Sequence, residues 1–184
     1  PMKYIFVGNH GIGKQMMANQ LGELYRSLEI IPNSSYVSIF NDFFRDNKNI
    51  EEYANNTIYF HFDSDMEYKE DLELKMIETL EKIPNSLFIL AVTPNKLSDL
   101  RVKYPKLFSL FPKIIRFDDY KSDDLFNITA QLAEEQNLIF NDHAKNQLIE
   151  YYNYCRKNKA IFYSNFYLAK NTLTTIIEKH TKDI

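Results

Sequence analysis

Apolar positions fall into two regimes along the chain. As far as about residue 118, short apolar runs alternate with stretches in which apolar residues recur every three or four positions. Beyond that point only the second pattern is left. A run of four to eight apolar residues predicts a strand buried on both faces, and the three-to-four repeat predicts an amphipathic helix. On that basis residues 3–7 form a first strand, and Met17, Leu21, Leu24 and Leu28 mark a helix running to about Glu29. Residues 36–40 form a second strand. Residues 41–56, polar apart from Phe43, Phe44 and Ile50, read as a loop or a short helix. Residues 57–62 form a third strand, ending at Asp63. Leu72, Met76, Leu80 and Ile83 mark a helix stopped by Pro84 and Asn85. Residues 87–92 form a fourth strand, a short helix follows, and residues 114–117 form a fifth.

After Asp118 the pattern predicts helices alone. Ser122 is placed to cap one that carries Leu125, Ile128 and Leu132, with Asp123 and Asp124 favourably in its first turn. Asn141 or Asp142 starts the next, with Ala144, Leu148, Tyr151 and Cys155 on one face. Ser164 starts the last, carrying Ala169, Leu173 and Ile176. Strands alternating with helices imply a parallel sheet with right-handed crossovers. The fold class is therefore α/β, a parallel sheet over residues 1–118 followed by a small all-helical domain over residues 119–184.

Chemistry enters between the first strand and the first helix. Gly8, Asn9, His10, Gly11, Ile12, Gly13, Lys14 and Gln15 have the spacing G-x-x-x-x-G-K of a phosphate-binding loop. Glycines let the backbone turn tightly and bring its N–H groups up to an anion, the following helix N-terminus adds positive potential, and the lysine reaches the outer phosphates. Of the 4 glycines in the chain, Gly8, Gly11 and Gly13 lie in this loop. The next position departs from the pattern. A Ser or Thr hydroxyl there binds Mg²⁺, whereas Gln15 offers a neutral amide oxygen on a longer arm. The loop thus predicts a site for ATP or ADP with Mg²⁺ held poorly or not at all. The plain alternative is a loop that has kept its shape and lost its chemistry.

A phosphate-loop ATPase also needs an acid at a neighbouring strand end, a group to position water and cations for the transition state. Asp63 is the candidate acid and candidate metal ligand; the position after it, where a catalytic Glu often stands, is Ser64. Thr93 and Asn95 could position water. Each has an ordinary structural role as well, since Asp commonly caps helices and Thr-Pro-Asn is usual turn chemistry. His61, mid-strand among aromatics, reads as a packed core residue. No other catalytic residue is assigned.

Composition narrows the partners. The chain has 184 residues, 45% hydrophobic and 15% aromatic, with a net charge of -3. Interspersed charge without a basic face argues against nucleic acid. No apolar run is long enough for a membrane span, and the single Cys155 fits a reducing compartment. No secretory signal precedes the first strand, so a cytoplasmic protein is expected, with Pro1 ahead of Met2 set aside from the fold argument.

Several segments, taken together and in order, resemble the AAA+ ATPases of the CbxX/CfqX type, which include the red-type rubisco activases and sporulation stage V protein K. GNHGIGKQMMANQLGELYRSLEI, from Gly8, is similar to that family's loop and helix. YPKLFSLFPKIIRFDDYKSDDL, from Tyr104, is similar to its NPGL-x-SRF, I-x-F-x-DY and EEL segment. The stretch from Ala133 to Gln136 resembles its lid, and the stretch from Ser164 its final NARFVRN helix. The resemblance implies sheet order 5-1-4-3-2, a four-helix lid and ring assembly. It also implies what is missing. The family's Mg²⁺-binding Thr matches Gln15, its strand-end Asp-Glu pair matches Asp63 and Ser64, its arginine finger matches Leu110, and its sensor arginine matches Tyr167. Losses at sites of unlike chemistry predict a degenerate module with weak or no hydrolysis. Such a module would work through a protein partner or an AAA+ homologue, as a homo- or hetero-oligomer. The alternatives are an active AAA+ ATPase remodelling a protein partner, and a small-molecule kinase. The kinase is disfavoured because the helical part offers only Arg156 to hold a second set of phosphates.

Overall fold

β1 (Lys3–Val7) is the strand the sheet is built around. In the computed structural model, which describes residues 2–33, 35–39, 49–62, 70–158 and 164–180, β1 pairs in parallel with β4 (Leu87–Val92) on one side and β5 (Lys113–Arg116) on the other. β4 pairs with β3 (Thr57–His61), and β3 with β2 (Tyr36–Ile39), again in parallel. The order is β2-β3-β4-β1-β5, the one the resemblance implies. Phe40, residues 41–48, and Asp63 with Ser64 lie outside the described residues.

The apolar runs are continuous because both faces of the sheet are covered. Ile5, Val7, Phe88, Leu90 and Val92 enter one core with Met76, Leu80 and Ile83 of α2 (Glu70–Lys82) and with Leu97 and Leu100 of α3 (Pro94–Lys103). Tyr4, Phe6, Leu87, Ile89 and Ala91 enter the other with Ala18 of α1 (Lys14–Ser27). β5 is an edge strand and differs: all four of its residues are exposed.

Two helix faces depart from the apolar pattern. On α1 the buried residues are Ala18 and Gly22, flanked by the half-buried Leu21 and Tyr25, whereas Met17, Leu24 and Leu28 are exposed. Small residues face the sheet because the helix lies close to it: a Cβ on Gly22 would stand 2.1 Å from Thr57 Oγ1. On α2 the buried face includes Glu73, only 2% exposed, whose Oε1 accepts from the Leu107 amide at 2.9 Å. Leu107 lies in the short helix α4 (Pro105–Ser109), whose first amides lack helical partners. Glu73→Ala is expected to leave that buried amide unpaired and to cost about 1–3 kcal/mol. Glu73→Gln keeps an acceptor and should cost less. Equal urea midpoints for all three proteins would refute the assignment.

The chain divides into two compact units, the second made of residues 118–184 together with Asn9–Ile12. Its described helices are three: α5 (Ser122–Glu134), α6 (Asp142–Asn158) and α7 (Phe166–His180). The four helices that the resemblance implies are not found among the described residues: α5 ends at Glu134, the chain passes through a left-handed Asn137 (φ 60), and the next helix starts at Asp142. Leu125, Phe126, Leu148, Tyr152, Leu168 and Ala169 form its core. On α6 the buried tyrosine is Tyr152, bonded to Thr129 Oγ1 at 2.6 Å, and not Tyr151, which is exposed. Ser122 does not cap α5. Lys121 precedes the helix, its amide bonded to Asp124 Oδ2, while Ser122 Oγ donates to Asn153.

Candidate functional site

β1 ends at Val7, and Gly8 still belongs to the sheet through its amide, which donates to Val92 O at 3.1 Å. The backbone then turns twice through the left-handed region, at Gly11 (φ 72) and Gly13 (φ 89), before α1 begins at Lys14. Only glycine takes those angles without strain. Lys14 Nζ donates to Gly8 O, so the lysine folds back over the loop it follows. Gln15 is exposed in the first turn of α1. Its side chain lies near the buried phenol of Tyr36, without reaching hydrogen-bond geometry. Burial, with a smaller contribution from Tyr59, pushes the Tyr36 hydroxyl well above its ordinary range, and Ser38 and Gln15 oppose that shift.

The middle of the loop is fixed by residues distant in sequence. Asn9 Nδ2 donates to both carboxylate oxygens of Asp119, each at 2.9 Å. Asn165 Nδ2 donates to Asp119 Oδ1 at 2.8 Å and to His10 O at 3.2 Å, and Asn165 Oδ1 accepts from the Tyr120 amide at 2.9 Å. The Phe166 amide donates to Gly11 O at 3.1 Å, and the Tyr120 hydroxyl to Ile12 O at 3.4 Å. Asn165 is fully buried and left-handed (φ 50). Three successive carbonyls are therefore occupied. The amides of His10, Gly11, Ile12 and Gly13 have no hydrogen-bond partner among the described residues. Successive N–H groups in such a turn form a concavity suited to an anion.

The remaining candidate positions are less suggestive. Thr93 Oγ1 donates to Asn95 Oδ1 at 2.6 Å, so these two satisfy one another. His61 bonds Ser38 through Nε2 at 2.8 Å and stands edge-on to Tyr59. Leu110 packs against the sheet core and Tyr167 is exposed beside Phe166; neither offers a cation. Asp63 lies outside the described residues. The residues that the sequence reading missed are Asp119 and Asn165. Their signal was present, since Asn, Asp and Gly tolerate left-handed backbone and bond to nearby main chain, but nothing in the spacing links position 9 to position 165.

No family model matches the chain. A curated relative, the CfxQ homolog protein of Pyropia yezoensis, is 23% identical over 186 residues, covering 91% of this chain and 61% of its own length. The chain thus spans less than two thirds of that relative. Among solved structures, replication initiator DnaA bound to AMPPCP and single-stranded DNA superposes with a TM-score of 0.65 at 14% identity, over 95% of this chain and 55% of DnaA. The chain has the AAA+ fold. A DNA replication initiation factor (TM-score 0.61, 16% identity, 96% of this chain and 55% of that one) and AMPPCP-bound DnaA from Aquifex aeolicus (0.56, 16%, 80% and 50%) share it.

The AAA+ fold corrects the expectation about partners. A protein partner or AAA+ homologue is expected from the resemblance, and nucleic acid is excluded from a net charge of -3 with interspersed charges. A protein of this same fold is bound to single-stranded DNA, so the exclusion does not stand. Net charge sums the whole surface, whereas contact with phosphates depends on the charge of one local face. Among the described residues no helix is long and apolar enough to cross a membrane.

Proposed function

We propose that this chain is an AAA+ nucleotide-binding module of degenerate type, which holds ATP or ADP through residues 8–15 and hydrolyses it weakly or not at all. The reading rests on one observation above the others: in the loop, the carbonyls of His10, Gly11 and Ile12 are occupied while the amides of His10, Gly11, Ile12 and Gly13 have no hydrogen-bond partner among the described residues. An anion of phosphate size satisfies such amides. Lys14, at the loop's end, supplies the positive charge. That two similar structures carry AMPPCP is consistent with the reading. Bound nucleotide would bring its phosphates as the reacting group, and Mg²⁺ would neutralise them. The ligand at position 15 fits that metal less well, being an amide oxygen on a longer, more flexible arm in place of a hydroxyl. The chain's own residues then bind and orient phosphate, but the positions for an arginine finger and a sensor arginine hold Leu110 and Tyr167. Without those cations little stabilises the charge of the transition state.

A module that binds without turning over works through contacts. Protein contacts are the reading that the exposed aromatics Tyr151, Tyr154 and Tyr167 support.

Calorimetric titration with ATP and ADP, with and without Mg²⁺, tests the proposal. Binding is expected to change little with Mg²⁺ and to fall by about tenfold or more in Lys14→Ala, the loss of one charge-assisted contact. Equal affinity in Lys14→Ala would make the loop merely structural. A Lys14-dependent turnover of about 1 per second, ordinary for enzymes, would instead favour an active AAA+ ATPase that remodels a protein partner.

A further inference from the structure

We infer that Asn9, Asp119 and Asn165 form a latch that positions the phosphate loop, and that anion binding and closure of this latch reinforce one another. All of its members belong to the second unit, which takes in Asn9–Ile12. Asp119 receives both Asn9 Nδ2 and Asn165 Nδ2, so one carboxylate ties the two amides together. Asn165 also binds His10 O, and the next amide, Phe166, binds Gly11 O. These bonds hold carbonyls. A peptide unit whose carbonyl is fixed on one side presents the N–H of the following residue on the other, because the unit is planar and trans. Fixing the carbonyls of His10, Gly11 and Ile12 therefore aims the amides of Gly11, Ile12 and Gly13 away from the latch. An anion drawn to those amides stabilises the same peptide orientation that the latch requires. By linkage, whatever closes the latch must then raise anion affinity by the same factor. Asp119 and Asn165 are positioning residues here, since neither is required to touch the ligand. The inference about affinity rests on the nucleotide-binding reading; the latch itself does not.

Asn9→Asp tests the latch directly. It sets a second carboxylate against Asp119 at the same size and removes both Nδ2 bonds. The amides to follow are Tyr120, which donates to Asn165 Oδ1, and Phe166, which donates to Gly11 O. In the unliganded protein Asn9→Asp is expected to speed hydrogen exchange at both by about tenfold or more, on the scale of a lost charged hydrogen bond. The exchanged pair Asn9→Asp with Asp119→Asn restores one donor and one carboxylate, and should return exchange towards the wild-type rate. Should Asn9→Asp fail to fold, Asn9→Ala removes the bonds without adding charge and is read at the same amides. In wild type, inorganic tripolyphosphate or ATP should slow exchange at Tyr120 and Phe166, and Asn9→Ala should weaken binding of both ligands. Wild-type exchange rates in Asn9→Asp and Asn9→Ala would overturn the latch. Faster exchange in Asn9→Asp without any rescue by the exchanged pair would also count against it. If wild type binds neither ligand, the nucleotide-binding reading falls, while the exchange rates of the unliganded variants still decide the latch.

Discussion

Gly11→Ala is expected to abolish measurable ATP binding and to lower the melting temperature of the helical unit by several degrees. Two costs add. Gly11 has φ 72, where a Cβ clashes with its own backbone at about 1–2 kcal/mol. The added Cβ would also lie 2.2 Å from Ser164 O, 3.0 Å from Tyr167 Cδ2 and 3.2 Å from the Phe166 amide nitrogen. Tyr167 is exposed and can turn aside. Ser164 O and Phe166 N are backbone, and Phe166 N is bonded to Gly11 O itself, so the segment must withdraw and that bond breaks. The combined loss should reach about 2–4 kcal/mol, the range of mutations that force backbone strain. Circular dichroism melting and calorimetry with ATP read the two effects. A melting curve and an affinity that both match wild type would show that the loop does not pack as described.

The second large effect lies under α1. Alanine is the better helix former by up to about 1 kcal/mol, so propensity alone would make Gly22→Ala stabilising. Contact decides the opposite sign. The new Cβ would meet Thr57 Oγ1 at 2.1 Å, Cβ at 3.1 Å and Cγ2 at 3.4 Å. Turning the Thr57 hydrogen towards the new Cβ would relieve the Oγ1 contact, but it forces a β-branched side chain out of its packed χ1 and leaves the Thr57 Cβ at 3.1 Å. Thr57 is also fully buried in β3, with a hydroxyl that has no partner among the described residues. Gly22→Ala should therefore destabilise by about 1–3 kcal/mol, as overpacking does. Adding Thr57→Ala removes both γ atoms and should recover most of the loss, giving a large coupling in a double-mutant cycle. If the double variant is no more stable than Gly22→Ala, the close approach of α1 to β3 is not the cause.

These two glycines mark how far the sequence could be read. Gly11 was legible, because a glycine loop after an apolar run has a mechanism attached to its spacing. Gly22 was not, and its neighbours misled: Met17, Leu24 and Leu28 repeat at helical spacing, yet they face outward while Ala18 and Gly22 face the sheet. Apolar periodicity finds the buried face only where large residues fill the gap, and here the gap is too narrow for them. The strands were plain for the converse reason. Residues 87–92 are buried on both faces, so every position is apolar. Glu73 was hidden inside an apolar repeat because a carboxylate becomes a core residue once a distant amide, that of Leu107, supplies its partner. The network of Asn9, Asp119 and Asn165 was invisible for the same reason. Each is a common turn residue, and only the fold brings them together.

The place of β1 in the sheet has a consequence for how the chain is made. Lys3 pairs with Phe88 and Tyr4 with Lys113, so the strand of this sheet that is made first is among the last to find its neighbours. At a synthesis rate of about 5–20 residues per second, β1 waits roughly 4–17 s for β4 and longer for β5. During that interval Tyr4, Ile5, Phe6 and Val7 form an apolar strand with both edges open, the kind of segment that pairs with other chains. Loop closure over such separations also makes the sheet slow to form. A nascent chain halted before Leu87 would carry β1 with neither of its sheet partners, and would be a client for chaperones until the next strand appears.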